Sequence, residues 1–147
     1  MPVARPLSAE EEGELNQLFS AALGLLPVGE QSDPHFLIAA MQLLIEEVRA
    51  GRGPDLSAAD LATQLGVVWG DELCRVAGWQ WRYLTLDNGL EGVAVISEDR
   101  AFVALPIHFL HRLLTRADAE NHCLSRFQQI LARQLGTPVP GRFRIVA

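Results

Sequence analysis

Apolar residues recur every three to four positions up to Gly78 and every second position after it. Leu61, Leu65, Trp69, Leu73 and Val76 fall on one face of a helix, which needs a packing partner. Gly78 can take the left-handed conformation that closes a last helical turn. Beyond it Trp79, Trp81 and Tyr83 alternate with Gln80, Arg82 and Leu84 at the period of a strand.

Two more helices are expected upstream. Ser8 and Glu11 have the spacing of a capping box, and Leu15, Leu18, Phe19, Ala22 and Leu26 form the stripe of a helix reaching about residue 25. Asp33 followed by Pro34 is a strong second start. The helix it opens, over about 34–50, shows a broad apolar face that includes Leu37, Met41, Leu44 and Ile45. Gly51-Arg52-Gly53-Pro54 ends it, and Ser57 with Asp60 starts the third helix, which runs to Ala77.

Downstream the pattern predicts a three-stranded antiparallel meander. Asn88-Gly89 suggests a two-residue turn with positive φ at both positions. Counting outward from that turn, Leu84 faces Val93, Arg82 faces Val95 and Trp81 faces Ile96. One face then holds Trp79, Trp81, Tyr83, Ala94, Ile96, Ala101 and Val103. The other holds Arg82, Leu84, Val93, Val95 and Phe102. Pro106 opens a short helix over about 107–115, and a last helix is expected over about 117–135. The fold class is therefore α+β, with three N-terminal helices, the meander and two C-terminal helices in one domain over 1–147. Residues 1–7 read as a loose lead-in, and 137–147 as a tail able to add an edge strand.

Composition narrows the function. At 147 residues the chain can bury a core without disulfides or metals. No apolar run has the length of a membrane span, and acids stand where a signal peptide would be apolar, so a cytoplasmic protein is expected. The net charge is −6 and every basic residue is arginine. The acids lie mostly before residue 74 and the arginines after it, a split that can steer a charged partner or draw the two halves of the fold together. Overall acidity argues against nucleic acid as the partner.

Candidate chemistry is sparse. His108 and His111 stand three apart, and His122-Cys123 follows, but no zinc motif completes the set and no metal or other cofactor is expected. Cys74 and Cys123 read as buried free thiols. Glu72 lies beside the apolar stripe of its helix, where a carboxylate needs a partner such as Arg82, and it could orient a ligand near the tryptophans. No phosphate loop or nucleophile elbow is present, and no catalytic residue stands out. Gly66 and Gly70, four apart, let another backbone come close.

Leu65-Gly66-x-x-x-Gly70-Asp71-x-Leu73, Gly78-Trp79-x-Trp81, the Asn-Gly hairpin and a Pro106-led helix with Arg112 together resemble a bacterial domain family of unknown function, over about residues 61–114. The resemblance implies an α+β fold and assigns no reaction. A sheet apolar on both faces must be covered on both, by its own helices or by a partner. The expectation is thus a non-catalytic interaction or adaptor domain, immunity-like or chaperone-like, binding a protein partner or itself as a homodimer. Its candidate contact residues are Glu72, Arg82, Leu84, Val93, Val95, Phe102 and His108. The alternative is a small-ligand-binding domain or hydrolase with a pocket around Trp69, Glu72, Trp81 and His108.

Overall fold

A computed structural model describes residues 2–27, 33–116 and 118–147. In chain order the elements are β1 (Val3–Arg5), α1 (Ala9–Leu23), α2 (Pro34–Arg49), α3 (Ala58–Ala77), β2 (Gln80–Thr85), β3 (Glu91–Ile96), β4 (Phe102–Ala104), α4 (Pro106–Thr115), α5 (Cys123–Leu131) and β5 (Arg144–Ile145). The α+β class stands, but the sheet has five strands in the order β1-β2-β3-β4-β5. The expected meander is its centre. The lead-in adds β1 antiparallel to β2, and the tail adds β5 parallel to β4, so the sheet is mixed.

Local chemistry accounts for the helix ends. Ser8 and Glu11 form the full capping box, while Asp33 and Ser57 cap the next two helices. Gly78 closes α3 with φ 75°. Helix α5 is much shorter than the pattern suggested. It stops where Arg133 turns left-handed at φ 58°, with Arg133 N–H donating to Ile130 O and Gln134 N–H to Gln129 O. That pair of bonds is the Schellman closure, here with arginine where glycine is usual.

The hairpin register differs from the expected one by a single residue: Trp81 pairs with Val95, Arg82 with Ala94 and Leu84 with Gly92. Asn88 is not among the residues with positive φ; Gly89 alone in this turn is, at 86°. Leu86 N–H donates to Leu90 O at 2.8 Å, which closes a three-residue loop, Asp87 to Gly89, in place of the two-residue turn. A one-residue slip exchanges the faces of a strand relative to its neighbour. Trp81, Tyr83, Val93, Val95 and Ala104 therefore share the helix-packed face, and Leu84, Ala94, Ile96 and Val103 the other.

The main core lies between the sheet and the helices, and Trp69 is at its centre. It is fully buried, its ring is 5.0 Å from Phe109 and 5.9 Å from Phe127, and its Nε1–H donates to Cys123 O at 3.0 Å. One side chain thus joins α3, α4 and α5. On the outer face Leu84, Ala94, Ile96 and Val103 form a smaller cluster beneath Ala4, Leu86, Leu105 and Phe143. All four are buried, so this face is covered by the chain's own edges.

Candidate functional site

The residues singled out from the sequence do not converge on one place. Arg82 and Leu84 lie on the outer sheet face, whereas Val93, Val95 and Phe102 face the helices. The corrected register separates them. His108 is exposed on α4, while Trp69 and Glu72 are buried along α3. Of Trp69, Glu72, Trp81 and His108, Trp81 lines a cleft of about 380 Å³ between α1, α3 and β2.

Glu72 is explained by its surroundings. Its side chain is 2% exposed and is paired one turn on with the half-exposed Arg75, which donates to it through both Nε and Nη2. Arg82, the partner suggested by the sequence, instead donates to Trp81 O and to the Gln80 side chain. Burial pushes the Glu72 carboxyl above its ordinary value, and Arg75 only partly offsets this. Burial likewise pushes the Cys74 and Cys123 thiols up to about 12, which removes both as ready nucleophiles.

A cleft of about 680 Å³ opens elsewhere, where the C-terminal end of α3, the end of α5 and the helix-side face of β4 meet. Trp79 and Phe102 line it as nearly parallel rings, 9° apart in tilt with centroids 6.5 Å apart. Val76, Ile130, Leu131 and Leu135 supply aliphatic walls, and Val76 is 40% exposed. Ser97, Glu98, Asp99 and Arg133 contribute the polar groups. Asp99 is held below the usual carboxylate range by hydrogen bonds from Ala101 N–H and the Ser97 hydroxyl. It is thus a fixed negative charge, and Arg133 supplies a positive one in the same cleft.

Phe102 is the single member of the expected site found here. Sequence periodicity assigned Val76 to the buried stripe and carried the last helix past Leu131. The cleft exists because the helix stops short, and neither Arg133 nor the residues after it form a motif. Among the described residues no group of three or more His, Cys, Asp or Glu is placed to hold a metal ion. His122 packs edge-on against Phe109 and its Nδ1 lies 2.7 Å from Glu120 O. No described helix is long and apolar enough to cross a membrane. No family model, no curated protein and no solved structure matches this chain.

Proposed function

We propose that the chain is a non-catalytic protein-interaction domain that takes an apolar side chain of a partner protein into the Trp79–Phe102 cleft. The observation that carries this reading is the parallel ring pair, with aliphatic walls beside it and charges of both signs among the lining groups. Desolvated aromatic and aliphatic pockets ringed by polar groups are where binding energy concentrates in protein interfaces. Arg133 adds support. A left-handed arginine is strained where glycine would be relaxed, and residues held in such conformations cluster at ligand-contacting positions. Asp99 and Arg133 would orient the incoming segment by its charges.

The volume also suits a small organic ligand, which is the second reading. Panning a displayed random-peptide library on the immobilised protein separates the two. Peptides with an apolar anchor are expected to be enriched, and their binding should fall about tenfold or more in Val76→Asp. No enrichment, or peptides indifferent to that change, would remove the protein-partner reading. Light scattering across concentration tests the homodimer: a dimer that dissociates in Val76→Asp would put a second copy of the chain in the cleft instead.

A further inference from the structure

We infer that a second cleft, beside the first, is a binding site for an oxyanion, a carboxylate or phosphate group carried by a small ligand. The cleft measures about 550 Å³ and adjoins the aromatic one through Leu135 and Gly136. Its polar lining consists of Arg126, Gln129, Gln134 and Arg144, with no carboxylate among the lining residues. Two arginines therefore line this cleft without an acid, in a chain of net charge −6.

The two guanidinium groups are held differently. Arg144 Nη1–H donates to Leu135 O at 3.0 Å, which fixes the group against the wall and uses one of its five donor positions. Gly136 makes room for it: a Cβ there would stand 3.2 Å from Arg144 Nη1, and the backbone is left-handed at φ 90°. Arg126, on α5, has a buried Nε–H with no protein acceptor and forms no ion pair among the described residues. The Arg126 side chain also lines the cleft, and a guanidinium fork matches the two oxygens of a carboxylate or phosphate. Gln129 and Gln134 add neutral donors and acceptors for the body of the ligand. The site is independent of the proposed docking cleft, because its probes are small anions and its readout is local.

The test is calorimetric titration of the whole chain with inorganic phosphate and, separately, with citrate, at ionic strength held constant with sodium chloride. Saturable binding of at least one is expected, weakened about tenfold or more in Arg126→Gln, the loss expected for one charge-assisted hydrogen bond. Arg112→Gln, on α4, should bind as the native chain does. Phosphate alone would assign a phosphate-bearing ligand, citrate alone a carboxylate, and both the shared oxyanion chemistry. A readout on the unaltered protein guards against misfolding of the variant: the Arg126 and Arg144 Nε–H resonances should shift with anion and saturate together. Failure of both anions to bind, binding unchanged in Arg126→Gln, or resonances that do not move would overturn the inference.

Discussion

Gly66 on α3 and Ile107 on α4 touch through their backbones: a methyl group built on Gly66 would stand 2.8 Å from Ile107 Cα and 2.9 Å from its nitrogen. One turn on, a methyl group on Gly70 would stand 2.6 Å from the Trp81 ring and 2.9 Å from Pro106 Cγ. The two glycines form the groove into which the start of α4 and the edge of Trp81 are set. Because the obstruction at Gly66 is backbone, Gly66→Ala should lower stability by about 1–3 kcal/mol or more, read from the urea midpoint with an unchanged slope. Wild-type stability in Gly66→Ala would show that α4 is free to move away.

Trp69 links three helices by a hydrogen bond and two aromatic contacts. Trp69→Phe keeps a ring but removes the donor to Cys123 O and part of the packing. A loss of about 1–3 kcal/mol is expected in chemical denaturation. The unfolding transition should stay cooperative, since the remaining aromatic residues still fill most of the space.

The architecture was legible wherever one side chain type sufficed to specify local geometry. Ser8 with Glu11, Asp33 with Pro34, Ser57 and Gly78 each act within a single turn, and all four mark helix ends as the sequence suggested. The faces of the sheet were not legible in the same way. They depended on whether Asn88 would take positive φ, and the three-residue loop closed by Leu86 and Leu90 makes that unnecessary. One residue of register then moved Val93 and Val95 away from Leu84 and dissolved the expected contact surface. The aromatic cleft stayed hidden for a different reason. It is made by the early end of α5 at Arg133, a residue with no intrinsic preference for left-handed backbone, and by tertiary contacts that periodicity does not encode.

Acid should loosen the N-terminal edge. Arg5 donates to both oxygens of Glu11 at 2.8 and 3.0 Å, and Ser8 N–H donates to the same carboxylate. The Arg5 contact, followed by the Ser8 bonds, lowers the Glu11 pKa from its ordinary value to about 2. An acid depressed in the folded state contributes stability above its unfolded pKa and loses it as pH falls through the folded one. Exchange of the β1 amides bonded to β2 should therefore quicken as pH drops from about 5 to about 2, after correction for intrinsic rates. In Glu11→Gln that dependence should be absent and exchange already fast at neutral pH.

Glu72 carries the opposite sign. Its folded-state pKa is raised by burial, so the native protein holds the proton more tightly than the unfolded chain does. The contribution is fully present below the ordinary carboxylate range and is lost as pH rises through the folded value. Glu72→Gln should remove this component, so that the variant gains stability relative to the native chain as pH is raised from about 4 to 7. Thermal melts at several pH values read the difference, and a constant offset between the two proteins would contradict it.

Arg133→Gly separates stability from binding at one position. Relieving left-handed backbone at the Schellman closure should raise stability by up to about 1 kcal/mol. The same change removes the positive charge from the aromatic cleft and should weaken any peptide selected there. A variant more stable and equally good at binding would show that the arginine plays no part in binding.

The parallel pairing of β4 with β5 has a consequence for the order of assembly. Strands β2, β3 and β4 follow one another through tight turns and can zip together as soon as they are synthesised, but the partner of β4 on its far side arrives only after α4 and α5. Until then β4 presents a bare row of backbone donors and acceptors to other nascent chains. Aggregation during refolding should accordingly be governed by how fast this short final strand docks.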